Sequence, residues 1–181
     1  MPVKPNLSPS LSGLSPYSYP NARLPHRLDV NESFVPPSPE LRQRIARRLA
    51  AVDLFLYPDP SCKALKEKTA AFYGLRPENL SMGNGSDELI SVLIGRLLPA
   101  GGAVLFPEGD FDGYAWSCGL FGHRAVPVPR DGDYVCTAEA MIEVIRREQP
   151  DLVIFSNPNN PRGTVLSRRA VEAVAAAAPN L

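Results

Sequence analysis

Leu41, Ile45, Leu49 and Val52 recur every three or four positions after Pro39, a spacing that predicts an amphipathic helix. Arg42, Arg44, Arg47 and Arg48 fall on its water-facing side. Ser61 offers an N-cap to a second helix, whose face runs through Leu65, Lys68, Thr69 and Phe72 to Gly74, a natural C-cap. Beyond Gly74 the pattern alternates. It predicts a short strand over 79–82, a helix over 86–98, a strand over 103–106 and a helix over 111–121. An extended run over 124–128, a helix over 137–148, a strand over 152–155 and a further helix over 168–178 follow. Strands alternating with helices argue for an α/β layer architecture with a largely parallel sheet. Upstream, residues 1–27 are rich in Pro and Ser, with Leu14, Tyr17 and Tyr19 as the bulky packing candidates. Two readings stand for this segment: a flexible arm, or an arm that docks through those tyrosines on the body or on a partner subunit.

Composition narrows the class. The 181 residues suit one domain, or one domain plus part of a second, and 44% hydrophobic content can build a real core. Nineteen basic residues balance nineteen acidic ones, so no global field favours nucleic acid or an anionic membrane. Glu40 and Asp53 flank the arginines of the first helix and favour an ordinary solvated face there. Cys62, Cys118 and Cys136 are odd in number and widely spaced, which fits buried thiols in a reducing cytoplasm better than disulfides or a zinc site. His26 and His123 lack metal-ligand spacing, so no metal site is expected. The apolar run from Ile90 to Leu98 is broken by Gly95 and Arg96 and is too short to cross a bilayer.

Two loops carry the chemistry. Ser156-Asn157-Pro158-Asn159-Asn160-Pro161-Arg162-Gly163 follows the apolar run 152–155, and its two Asn-Pro steps force the backbone into a rigid turn. Asn160 then projects from the carboxyl end of a strand, where open α/β sheets bind ligands. Gly83-Asn84-Gly85-Ser86-Asp87-Glu88 stands between a short strand and a helix, where backbone amides can hold an anion. Taken alone, a capped helix start is the better reading of it. It matches neither a dinucleotide nor a nucleoside-triphosphate fingerprint. Asp87 and Glu88 suit the positive helix end but would repel a phosphate unless turned away, so contact falls to the amides and Ser86. Tyr57-Pro58-Asp59-Pro60 holds an aromatic residue in a stiff turn, and Phe111 with Tyr114 follows the strand 103–106. By themselves both read as structural.

In order, LDVNES, YPDP, GNGSDE, PEGDFDGY and SNPNNPRG resemble the N-terminal half of fold-type I pyridoxal-phosphate-dependent aminotransferases, most of all the histidinol-phosphate aminotransferase group. The resemblance runs over essentially the whole chain. It implies a three-layer αβα large domain with a mostly parallel sheet, incomplete here, over residues 39–181, preceded by an arm over 1–38. It implies pyridoxal 5'-phosphate as cofactor, an amine and a 2-oxo acid as substrates, and a cytoplasmic homodimer with shared active sites. By resemblance, Gly85, Ser86 and Asp87 hold the cofactor phosphate, Phe111 stacks on the pyridine ring, and Asn160 bonds the ring hydroxyl. Tyr57 reaches the phosphate of the partner subunit, and Asn31 lies near substrate as a looser match.

Three departures matter. Arg162 stands where the family has threonine, and its guanidinium is expected to face solvent. The family's NENPxGPSP is replaced by Asn31-Glu32-Ser33-Phe34-Val35-Pro36-Pro37-Ser38-Pro39. Finally, the Schiff-base lysine is absent. Lys4, Lys63, Lys66 and Lys68 all precede Asn160, whereas the family's lysine follows the helix that begins at Arg168. No catalytic residue is therefore assigned, and the chain alone is expected to be an inactive fragment. A pyridoxal-phosphate lyase resembling threonine-phosphate decarboxylases, or a non-catalytic remnant that binds cofactor or dimerises, are the other readings.

Overall fold

The computed structural model describes Leu11, Leu14 and residues 30–178. The chain divides into two compact units, residues 16–81 and residues 1–15 with 82–181.

In the first unit, the Ser38 hydroxyl accepts from the Leu41 N–H at 3.2 Å and starts α1 (Pro39–Ala50), with proline in the first turn where its missing N–H costs nothing. Helix α2 (Lys63–Tyr73) ends at Gly74, whose φ of 66° lets the chain turn off the helix. The predicted Ser61 cap is replaced by Asp59. Its carboxylate takes the Ser61 N–H at 2.9 Å, the Ser61 hydroxyl at 2.6 Å and the Lys63 N–H at 3.0 Å. A carboxylate has more acceptor capacity than a hydroxyl, and these bonds hold its pKa below the ordinary range. The predicted strand over 79–82 does not form. Pro77–Asn79 is a 3₁₀ turn closed by the Leu80 N–H on the Pro77 carbonyl, and the segment has no neighbouring strand to pair with among the described residues.

In the second unit, α3 (Ser86–Val92) runs straight into a π turn, Leu93–Leu97, rather than continuing as the one helix predicted over 86–98. The Phe121 ring packs directly on Gly95 inside this turn, so the wider turn coincides with a close helix contact. Strand β1 (Ala103–Pro107) is buried at all five positions. It is followed by α4 (Gly113–Phe121), β2 (Arg124–Val128), α5 (Ala138–Glu148), β3 (Leu152–Val153) and α6 (Arg168–Ala177). The strands lie in the order β2-β1-β3, and both pairings are parallel. Parallel neighbours need a crossover, which α4 and α5 supply.

Alternate residues of β1 feed two cores. Ala103 and Leu105 join Val126, Val128, Met141, Val144, Ile145 and Val174 on the face covered by α5 and α6. Val104 and Phe106 join Ile94, Tyr114 and Cys118 on the other face. The result is a helix-sheet-helix sandwich with β1 as its middle, the α/β layering that the alternation predicts in the three-layer form that the resemblance implies. The ladder to β3 covers two residues instead of the four predicted, although the Ile154 N–H still reaches the Leu105 carbonyl at 2.9 Å. At the other end, Asp151 takes the Ala103 N–H at 2.7 Å and returns its own N–H to the Ala103 carbonyl. The Leu14 side chain lies against Gly119 of α4. Tyr17 and Tyr19 fall outside the described residues.

Candidate functional site

The loops after β1 and β3 meet at one buried carboxylate. Asp110, three residues past β1, is 4% exposed. It accepts from the Phe111 N–H at 2.7 Å, the Ser156 hydroxyl at 2.5 Å and the Ser156 N–H at 3.2 Å. Three donors around a carboxylate remove most of the cost of burying it. The Ser156 oxygen accepts in turn from the Asn160 N–H at 2.7 Å and from the Asn159 side-chain amide at 3.4 Å.

The Ser156–Gly163 loop is pinned at further points. Asn157 bonds Leu166 in both directions, at 3.1 and 3.0 Å, and Gly163 donates to the Asn159 carbonyl at 2.7 Å. The Asn157-Pro158 and Asn160-Pro161 peptide bonds are both cis. Asn159 is buried, and its amide oxygen accepts from Arg130 at 3.3 Å. Arg130, two residues past β2, also donates to the Glu108 and Tyr134 carbonyls and so joins three loops. The Arg162 guanidinium lies 4.6 Å from the centroid of the Tyr134 ring. The residue is exposed as expected, yet it is held on an aromatic face rather than free in solvent.

Phe111 precedes α4 instead of starting the helix as predicted, and its N–H is taken by the Asp110 carboxylate. Its ring is half-buried and meets the Tyr114 ring edge-on, with centroids 5.5 Å apart. It also lies over Gly113. A Cβ at that position would come within 2.3 Å of the ring, so only glycine fits. Burial, reinforced by the Asp110 charge, pushes the Tyr114 hydroxyl from an ordinary 10.0 up to about 12. Burial likewise raises the Cys118 and Cys136 thiols to about 11. These groups stay neutral near pH 7, so neither cysteine is a reactive thiolate.

At the start of α3, Gly85 holds φ 81° and ψ 172°, a conformation essentially closed to residues with a side chain. The backbone thereby points the first-turn amides of α3 outward, and these have no intrahelical acceptor. The Glu88 carboxylate folds back onto the Asn84 N–H at 2.5 Å, which commits its charge to that side of the loop. Ser86 and Asp87 are exposed, with N–H groups and one hydroxyl available to an anion. The π turn after α3 packs against α4, the helix that Phe111 precedes.

The structure therefore links the Phe111 and Asn160 loops directly and places Gly85, Ser86 and Asp87 in the same unit. Tyr57 and Asn31 belong to the 16–81 unit, where both are exposed, Asn31 with φ 54°. Asp110, Arg130 and Asn159 escape the sequence reading as site residues. Among the described residues, no group of three or more His, Cys, Asp or Glu side chains gathers as a metal set. No helix among them is long and apolar enough to cross a membrane.

Strand-end loops tied to one another stand at the carboxyl ends of the parallel strands, where open α/β sheets bind ligands. Residues 26–180 match the family model of aminotransferase class I and II, and the chain belongs to this family. A histidinol-phosphate aminotransferase from Aquifex aeolicus is 40% identical over 152 residues, which cover 82% of this chain and 42% of that protein. The crystal structure of histidinol-phosphate aminotransferase from Sinorhizobium meliloti in complex with pyridoxal-5'-phosphate superimposes with a TM-score of 0.82. It is 28% identical and is matched over 97% of this chain and 48% of its own length. A decarboxylase from Sulfurospirillum multivorans is similar at a TM-score of 0.60 and 29% identity, over 76% of this chain and 34% of its own. The chain spans about half the length of the curated relatives it matches.

Proposed function

We propose that these residues form the N-terminal, cofactor-holding half of a pyridoxal-phosphate-dependent aminotransferase that moves an amino group between a histidinol-phosphate-like amine and a 2-oxo acid. The observation that carries the reading is the Asp110-Ser156 link, which joins the loops of the aromatic Phe111 and the amide Asn160. In this reading residues 39–181 are the first part of the large domain and residues 1–38 its arm. Pyridoxal phosphate, when bound, supplies an electron sink for the bonds broken next to the amino group.

The chain's own residues do the holding. Phe111 offers its ring face to the pyridine, Asn160 donates from its side-chain amide to the ring hydroxyl, and the Gly85, Ser86 and Asp87 segment receives the phosphate through amides and the Ser86 hydroxyl. The Tyr114 hydroxyl keeps its proton and supports Phe111 from the side. Tyr57 serves the phosphate of a partner subunit in a cytoplasmic homodimer, and Asn31 lies toward substrate. The lysine and the acid that complete the chemistry belong to the half of the relatives' length that this chain does not match.

Titration with pyridoxal phosphate, followed by absorbance, tests this. Saturable binding is expected, with pyridoxal lacking its phosphate bound far more weakly. Asn160→Ala should weaken binding roughly 10- to 150-fold, because a hydrogen bond to a charged group contributes on the order of 1.5–3 kcal/mol. Equal binding of the two aldehydes would remove the phosphate role of the Gly85 loop. A lyase of the same cofactor is the second reading, supported by the decarboxylase likeness. Release of carbon dioxide in place of amino transfer by the full-length enzyme would select it.

A further inference from the structure

Phe111 and Asn160 belong to loops after different strands, yet both backbone N–H groups end on one two-residue relay. Asp110 takes the Phe111 N–H directly and the Ser156 hydroxyl proton, and the Ser156 oxygen takes the Asn160 N–H. The direction of the relay depends on charge. A hydroxyl has one proton and two lone pairs. A carboxylate is an acceptor alone, so Asp110 commits the Ser156 proton to itself and turns the Ser156 lone pairs toward Asn160 and Asn159. A neutral amide at position 110 would place an NH₂ against one of the Ser156 donors and leave the hydroxyl free to reverse. Arg130 reaches the relay only through Asn159, at 3.3 Å. The buried charge is therefore matched by hydrogen-bond donors and not by a direct ion pair among the described residues.

We infer that Asp110 is a positioning residue that sets the separation between the ring-stacking Phe111 and the hydroxyl-binding Asn160. The inference rests on the reading of those two residues as cofactor contacts. Asp110 touches neither the cofactor nor the reacting atoms in this account. It acts through the two loops, and Ser156 is its extension to the second.

Asp110→Asn, Ser156→Ala and the conservative Ser156→Thr test it against the unaltered protein. Two readouts are used: amide hydrogen exchange without cofactor, and affinity for pyridoxal phosphate at a temperature well below unfolding. In Asp110→Asn and Ser156→Ala, exchange at Asn160 should rise at least tenfold, and affinity should fall about tenfold. Exchange at Phe111 should rise with it in Asp110→Asn. Ser156→Thr keeps a hydroxyl and should hold both quantities near the starting values, while exchange at Leu105 in β1 stays unchanged throughout.

Unchanged exchange at Asn160 in Asp110→Asn, or unchanged cofactor affinity in that variant, overturns the inference. So does a loss of affinity accompanied by equal acceleration at Leu105, which would mean general destabilisation. An unaltered protein that takes up no pyridoxal phosphate overturns the cofactor reading instead. The exchange of the two loops then decides by itself whether Asp110 holds them together.

Discussion

Helices α1 and α5 are built alike and end up in opposite surroundings. Each starts on a hydroxyl cap, Ser38 or Thr137, carries an acid in its first turn and ends on arginines. Each has an apolar stripe. Helix α5 lays Met141, Val144 and Ile145 on the sheet and buries them, whereas α1 buries no residue and leaves Leu41, Ile45 and Leu49 exposed, with Val52 exposed just beyond its end. The difference is the connection. Helix α5 links β2 to β3 on the far side of β1, and a connection between parallel strands of one sheet has to cross the sheet face. Among the described residues no strand pair brackets α1, so its caps and spacing make a helix without providing a surface for it. A helix of this length draws most of its stability from packing, which makes α1 the weaker element.

The contrast can be broken at its strongest point. Leu105→Ala in β1 should cost about 2–5 kcal/mol, since it opens a cavity where the side chain is fully buried. Denaturant unfolding measures this, and a loss below about 1 kcal/mol would place the core elsewhere.

Alkaline unfolding is the next effect. Tyr114, Cys118 and Cys136 all have folded-state pKa values raised by burial, to about 12 for the tyrosine and about 11 for the thiols. Their contribution is fully present below pH 9.0, the ordinary thiol value, and disappears as pH rises toward 12, because the unfolded chain ionises first. Tyr114→Phe should remove the part of this loss above pH 10, as followed by circular dichroism at increasing pH.

Thr137→Ala removes the cap at the Ala140 N–H, 3.2 Å away, and should cost about 1 kcal/mol. The smallest change sharpens the comparison most. Ile45→Ala on α1 should shift stability by no more than about 0.5 kcal/mol, as for a surface position. A cost equal to that of Met141→Ala would show that the α1 stripe is covered in solution.

The candidate site divides along a similar line. Asn160 and the Gly85 segment could be found in the sequence because proline and glycine leave a readable mark on the backbone. Asp110 could not, since nothing in Gly-Asp-Phe-Asp-Gly separates the buried Asp110 from the exposed Asp112. Their difference arises only when Ser156, in the loop after β3, arrives beside Asp110. The missing strand over 79–82 fails for the same reason, because a strand needs a neighbour that local pattern does not reveal. Arg162 shows the reverse case. Its exposure was legible from its charge, but its partner Tyr134 was not.

Local order in this protein was determined by the sequence itself: where helices start, where glycine ends or opens them, and which runs are apolar enough to be strands. Those preferences act over a few residues and leave a periodic trace. The tertiary structure alone decided which apolar stripe is buried, which aspartate is the hub and which loops share it. Each of those depends on strands distant in sequence meeting side by side, and hydrogen bonds and burial are properties of that meeting.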